Sequence, residues 1–163
     1  MKKNILNGVG LLLVSAAGRV AIIRELIPKP KIKKEAGMLA FPMETVKKGE
    51  SDEDALKRLV FEELGLDAES ISHFCKFKDP YVEHSVSVTM FYALFMEEGE
   101  PVLCPRDSDI EFEGWMHLNK LLEKNHLRRE VVPIVNIFNN MDFVRCCRDR
   151  KKLKDYNPMN CSA

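Results

Sequence analysis

The sequence predicts a single α/β domain, and three observations support this. Its 163 residues are enough for one hydrophobic core but leave little room for a second domain. Segments with the alternation typical of strands occur along the same chain as segments with helical periodicity and capping residues. The composition, with 45% hydrophobic and 31% charged residues and only 8 Gly and 8 Pro, excludes disordered, collagenous and low-complexity chains.

Two predicted strands lie near the N-terminus. The apolar residues 9–17 lead into a turn at Gly18, and residues 20–23 resume a strand-like run, so we predict a β-hairpin over residues 8–26. A secretory signal would explain only the first run, and neither run reaches the roughly 18 apolar residues of a membrane-spanning helix. The loop at residues 28–34 follows, and its four lysines are either solvated or close to a phosphate.

The clearest predicted element is a helix over residues 51–64. Ser51 is a favourable N-cap, and the three acidic residues that follow it stabilise the positive end of the helix dipole. Gly65 is suited to the C-terminal cap. Both ends of this helix are therefore marked by the sequence.

The second half of the chain contains three further strands and two helices. We predict strands at residues 71–78, 85–96 and 110–117, and helices at residues 118–124 and 128–141. The strand at 85–96 is apolar on both faces, which indicates a central strand covered on two sides. We assign residues 1–144 to the domain and residues 145–163 to a basic C-terminal tail.

The charges balance overall but are segregated along the chain. The 25 Lys and Arg equal the 25 Asp and Glu, so no net charge favours nucleic acid or a membrane as partner. Residues 1–50 carry 10 basic and 4 acidic side chains, residues 51–113 carry 5 and 16, and residues 114–163 carry 10 and 5. An acidic middle is typical both of a carboxylate metal site and of solvated helix faces.

The five cysteines form no CxxC pair. A zinc site and a disulfide framework are therefore disfavoured, and a reducing cytoplasm is the expected compartment.

One group of charged residues along the chain indicates a possible chemical function. Glu50 precedes the predicted helix, Arg58 lies in its middle, and Glu62 and Glu63 are adjacent near its end, before Gly65. Adjacent carboxylates can hold Mg²⁺ or Mn²⁺, because hard cations prefer oxygen ligands, but glutamate pairs are also common on helix surfaces. The spacing of these residues resembles the box of the MutT-like Nudix hydrolases, G-x5-E-x7-R-E-U-x-E-E-x-G-U, where U is a bulky apolar residue.

The resemblance extends over roughly residues 7–141 and implies the Nudix-type α/β/α sandwich with a mixed β-sheet. It further implies Mg²⁺- or Mn²⁺-dependent cleavage of a pyrophosphate bond in a nucleoside diphosphate linked to another moiety. Glu62 and Glu63 would then be catalytic and metal ligands, Glu50 would support the metal, and Arg58 would orient a carboxylate. The implied partner is a small nucleotide, whose substrate-binding residues the sequence does not identify. Nucleic acid is not favoured, a membrane is not expected, and a homodimer is left open.

Two residues depart from the box. Glu44 stands where the pattern opens with Gly, and Leu59 stands where the family has the Glu that follows Arg. Residues three and four apart share a helix face, so a carboxylate at position 59 would lie one turn before Glu62 and Glu63. We therefore expect either an impaired or atypical hydrolase with a degenerate box, or an inactive Nudix module that binds a nucleotide, an RNA or a protein.

The acidic loop before Trp115 offers a replacement ligand. Related enzymes often place an additional carboxylate in this region, and Asp109 is our first candidate, ahead of Asp107 and Glu111. The alternative for Asp109 is a position in a solvated loop.

Overall fold

A computed structural model describes residues 5–83 and 86–139 of the chain. These residues form seven strands: β1 (Leu6–Val14), β2 (Val20–Glu25), β3 (Leu39–Ala40), β4 (Met43–Thr45), β5 (Cys75–Glu83), β6 (Val86–Leu94) and β7 (Ile110–Met116). They also form three α-helices: α1 (Asp52–Glu63), α2 (Leu118–Leu122) and α3 (Val131–Asn139). The proposed tail at 145–163 lies outside the described residues, and none of the helices described is long and apolar enough to cross a membrane.

The strands form one mixed sheet, as predicted. Its main order is β3-β2-β1-β6-β5, with β4 paired to β1 and β7 paired to β2. β1 and β6 run parallel from the pair Leu6 and Val86 to the pair Val14 and Leu94, and the other pairings between strands are antiparallel.

Helices cover both faces of the sheet because β1 is apolar at consecutive positions. Side chains alternate between the two faces of a strand. Leu11 and Leu13 therefore pack with α1 on one face, while Leu12 and Val14 pack with α2 and α3 on the other. The predicted α/β/α sandwich is confirmed, and β6 is covered on two sides as expected.

The predicted hairpin is only partly correct. β1 and β2 are joined by a tight turn, but they pair at a single position, Val14 opposite Val20. Beyond it β1 lies between β4 and β6, and β2 lies between β3 and β7. Both strands are buried on both faces, so each one takes other neighbours instead of remaining in a two-stranded ribbon.

The predicted strand at 71–78 also begins later, at Cys75, and continues to Glu83.

The short strand β4 was not predicted, although it positions part of the site. Three residues are too few to show a strand alternation. Its antiparallel register sets Glu44 opposite Val9 and Met43 opposite Gly10. Cross-strand partners share a face. Glu44 therefore lies on the face of the sheet that α1 covers, where Val9 is buried.

Candidate active site

Helix α1 carries most of the candidate site and begins where the sequence predicts. The Ser51 hydroxyl accepts a hydrogen bond from the Asp54 amide at 3.1 Å, which caps the helix. The helix buries one face against the sheet, and the residues buried on that face are Ala55, Leu56, Leu59, Val60 and Glu63. Glu63 is thus a carboxylate on the apolar face of an amphipathic helix.

The end of α1 is held by Gly65 and the acidic loop. Gly65 has φ +64°, the left-handed conformation common just after a helix, and the Leu66 amide donates to the Val60 carbonyl at 3.1 Å. A Cβ on Gly65 would collide with the carbonyl oxygen of Cys104. The amides of Arg106 and Asp107 donate to the Glu62 carbonyl at 2.7 and 3.0 Å. The loop therefore fixes the backbone at the position of the two adjacent glutamates.

Arg58 is the centre of the site. Its guanidinium forms a bidentate pair with Glu50, with Nε to Oε2 at 3.1 Å and Nη2 to Oε1 at 2.9 Å. Nη2 also donates to the Thr45 carbonyl at 2.6 Å. These contacts are the ones expected if Arg58 orients a box carboxylate by charge-assisted hydrogen bonds.

Two more carboxylates approach the same guanidinium. Nη1 lies 3.0 Å from Oε1 of Glu44 and 3.6 Å from Oε2 of Glu62. We call Arg58 with Glu44, Glu50 and Glu62 the Arg58 cluster. Three carboxylates around one cation leave the cluster with a negative charge, which favours binding of a further cation.

The hydrogen bonds in this cluster shift the pKa of Glu50 strongly. The bonds from Arg58, together with the Lys47 amide, lower the pKa of Glu50 from 4.5 to about 2. The pKa of Arg58 rises above its usual value, chiefly through its hydrogen bonds to Glu50. Glu50 is therefore an anion at any pH at which the protein would work.

Glu63 has the opposite environment. Only 7% of the residue is exposed, and Oε2 accepts a hydrogen bond from the Met43 amide at 2.9 Å. Burial raises the pKa of Glu63 well above its usual value, and the nearby negative charge of Glu44 raises it further. Burial outweighs the lowering effect of the Met43 amide, so Glu63 binds protons more strongly than an ordinary glutamate.

Leu59 is fully buried between α1 and the sheet. It packs in the same apolar cluster as Leu11, Leu13 and Leu56. The side chain that replaces the expected box glutamate is therefore part of the hydrophobic core.

Asp109 immediately precedes β7, and among the described residues no hydrogen bond joins it to Glu50, Arg58, Glu62 or Glu63. Its amide donates to Oδ1 of Asp107 at 2.8 Å, and its carbonyl accepts from the Leu26 amide at 2.8 Å. Glu111 pairs instead with Arg24, at 3.6 Å. Within residues 5–83 and 86–139, no group of three or more His, Cys, Asp and Glu side chains is arranged to hold a metal ion. The role of Asp109 stays a prediction.

A second charged cluster near the site was not anticipated. Glu25, with a side chain only 3% exposed, pairs with Lys34 at 2.5 Å and with Arg128 at 3.3 Å. Arg128 also pairs with Glu130 at 2.9 Å. We call these four residues the Arg128 cluster. The charges of Glu25 and Lys34 both act on the pKa of Glu63, so this cluster lies close to the box.

Sequence reasoning gave little signal for this cluster. Lys34 belongs to a loop of four lysines, three of which are exposed, and composition does not show which lysine turns inward. Lys34 and Arg128 both pair with Glu25, and Arg128 lies 103 residues after Glu25 in the sequence, so only the folded chain brings the three together.

Comparison with known proteins agrees with this architecture. The sequence model of the NUDIX domain matches residues 5–134. The chain is similar to the MutT protein of Methanosarcina mazei Go1, with 18% identity, a TM-score of 0.62, and coverage of 86% of this chain and 99% of that one. It is also similar to a NUDIX hydrolase from Nitrosomonas europaea, with 16% identity, a TM-score of 0.63, and coverage of 83% and 88%.

A third similar structure is the NUDIX domain of Shewanella oneidensis NrtR in complex with ADP ribose, with 13% identity, a TM-score of 0.62, and coverage of 83% and 86%. A search among curated proteins finds no match. At such identities the structural matches establish the fold, while the domain match covers most of the chain. With its mixed sheet, its helix α1 and its domain match, the chain belongs to the NUDIX domain family.

Proposed function

We propose that the chain is a Mg²⁺- or Mn²⁺-dependent hydrolase that cleaves a pyrophosphate bond in a nucleoside diphosphate linked to another moiety. The observation that carries the proposal is the Arg58 cluster. It holds two of the three remaining box carboxylates, Glu50 and Glu62, around one guanidinium, although two box residues are replaced. The Nudix hydrolase fold and domain support the reaction class.

The donor set fits a hard divalent cation. Hydrolases of this family generally use divalent metal ions. Glu62, Glu63 and Glu50 offer carboxylate oxygens, which Mg²⁺ and Mn²⁺ prefer, and the surroundings keep an excess of negative charge. In the proposal Glu62 and Glu63 hold the metal, Glu50 supports it through Arg58, and Asp109 is a further candidate ligand.

Glu62 and Glu63 have different roles beside the metal in this proposal. A bound divalent cation would polarise the phosphate oxygens and lower the pKa of a coordinated water. Glu63 is rigidly placed because it is buried and bonded to the Met43 amide. Glu62 is more accessible, with 41% of its side chain exposed, so its carboxylate can reach both the substrate and solvent.

Leu59 favours a slow reaction. The family residue at this position is a carboxylate, and Leu59 supplies neither a metal ligand nor a base. We therefore propose a rate below that of hydrolases with a complete box. The expected partner is a small nucleotide and the expected compartment is the cytoplasm, and the proposal requires neither a second copy nor nucleic acid.

Turnover by the purified protein tests the proposal. The full chain is incubated with Mg²⁺ or Mn²⁺ and a panel of nucleoside triphosphates, dinucleoside polyphosphates, ADP-ribose and NADH, and phosphate and pyrophosphate release is followed. We expect metal-dependent turnover that falls about a hundredfold or more in Glu63→Gln. Glu53→Gln is the matched control, because Glu53 lies on the same helix with 69% of its side chain exposed and forms an exposed ion pair with Lys57.

The burial of Leu59 also favours a second function, a nucleotide-binding module without hydrolysis. The NUDIX domain of Shewanella oneidensis NrtR is a structurally similar domain in complex with ADP ribose. No turnover on the whole panel, together with calorimetrically measured ADP-ribose binding, would contradict the hydrolase and support the module.

A further inference from the structure

The carboxylates of Glu44 and Glu63 are held by the protein in the same way. In each carboxylate one oxygen is held by the protein. Oε1 of Glu44 contacts Arg58 at 3.0 Å and accepts from the Thr45 amide at 3.2 Å, while Oε2 of Glu63 accepts from the Met43 amide. Among the described residues, the second oxygen of each carboxylate has no recorded hydrogen-bond partner.

Such an arrangement is typical of metal-binding carboxylates. A ligating carboxylate is oriented through hydrogen bonds from surrounding groups while another of its lone pairs binds the metal. Glu63 is more than nine-tenths buried, so its carboxylate is held in place while its second oxygen has no partner among the described residues.

The two carboxylates also lie on adjoining elements, β4 and α1. Oε2 of Glu63 accepts a hydrogen bond from the amide of Met43, the neighbour of Glu44 in β4. The negative charge of Glu44 contributes to the raised pKa of Glu63. The β4 register directs Glu44 to the face that α1 covers. Two like charges in a partly buried site repel, and a cation bound between them would remove that repulsion.

The two departures from the box therefore complement each other. Leu59 removes a carboxylate from α1 and fills the core, whereas Glu44 adds a carboxylate on β4 beside the same helix end. We propose that Glu44 replaces the missing box carboxylate as a ligand of the divalent cation, opposite Glu63. This inference rests on the proposed metal-dependent function and assigns a different ligand set to it.

Metal binding, measured without substrate, tests the inference. Free Mn²⁺ is titrated by electron paramagnetic resonance against the full chain and its variants at neutral pH, and the Mn²⁺-induced rise in melting temperature is recorded in parallel. We expect Glu44→Gln to weaken Mn²⁺ binding about tenfold or more and to remove most of the rise. The introduced amide keeps an oxygen that can accept from Arg58, so the variant preserves that contact. Glu53→Gln should match the wild type within about twofold.

A charge-conserving variant separates ligation from simple attraction. Glu44→Asp keeps the negative charge but withdraws the carboxylate by one methylene, so a ligand role predicts weakened binding there too. Glu44→Asp binding like the wild type would overturn the inference, because charge alone would then suffice. Unchanged binding in Glu44→Gln, with loss in Glu63→Gln, would overturn it and leave the proposed function standing. If the wild type binds no Mn²⁺, both fail.

Discussion

The Arg58 cluster and the Arg128 cluster lie close together but differ in charge balance and exposure. In the Arg128 cluster two cations face two carboxylates, and no side chain is more than 16% exposed. In the Arg58 cluster one cation faces three carboxylates, and Glu62 is 41% exposed. A balanced, buried network leaves no net charge for a further ion, whereas the excess negative charge of a partly open network favours binding of a cation. Charge balance therefore separates a structural cluster from a candidate site.

The largest expected effect comes from introducing a carboxylate at position 59 of α1. Leu59→Glu would place a charge in the core between α1 and the sheet, so we expect the free energy of unfolding to fall by about 4 kcal/mol or more. Urea unfolding of the metal-free protein measures this loss. Leu59→Met keeps an apolar side chain of similar volume and should cost about 1 kcal/mol. A loss below about 2 kcal/mol in Leu59→Glu would show that position 59 can turn toward the cluster and that the core does not exclude a carboxylate there.

The second prediction tests whether the Arg128 cluster is structural. Arg128→Met removes the cation that joins Glu25 to Glu130 and leaves buried carboxylates without it, so we expect a loss of about 3 kcal/mol in urea unfolding. Lys120→Met is the control, because the Lys120–Glu123 pair is exposed and should contribute less than about 1 kcal/mol. Equal losses in both variants would show that the Arg128 cluster stabilises the fold no more than an exposed ion pair does, and its structural role would then be wrong. Mn²⁺ affinity should stay unchanged if this cluster holds no metal.

How far the sequence predicts the molecule depends on how local each feature is. Helix α1 follows from its cap, its acidic first turn and Gly65, all within a few residues, and its bounds are confirmed within one residue of the prediction. The separation of β1 from β2 and the existence of β4 depend on which distant strands compete for pairing, and no local pattern records that.

The same distinction applies to the site. The Arg58–Glu50 contact spans eight residues and follows the spacing of the box. The contact of Glu44 with Arg58 depends on β4, and the inward position of Lys34 depends on its pairing with the buried Glu25, so neither could be predicted. Residue spacing decides which charges meet within α1 and the residues just before it, and tertiary contacts decide the others.

The smallest expected effect is a pair of opposite pH dependences within the box. The pKa of Glu50 is lowered to about 2, so its contribution to stability is present above its usual pKa of 4.5 and is lost as the pH falls toward 2. The pKa of Glu63 is raised, so the folded protein retains the Glu63 proton above pH 4.5 and loses stability as the pH rises through that region.

Metal-free Glu50→Gln should therefore be less stable than the wild type at pH 7, and metal-free Glu63→Gln should be more stable. Both differences should diminish at low pH, below about 2 for Glu50 and below 4.5 for Glu63. Urea unfolding at a series of pH values measures both. Trends of the same sign would mean that the two carboxylates share one environment, and the contrast between an anion held by Arg58 and a buried proton-binding group would then be wrong.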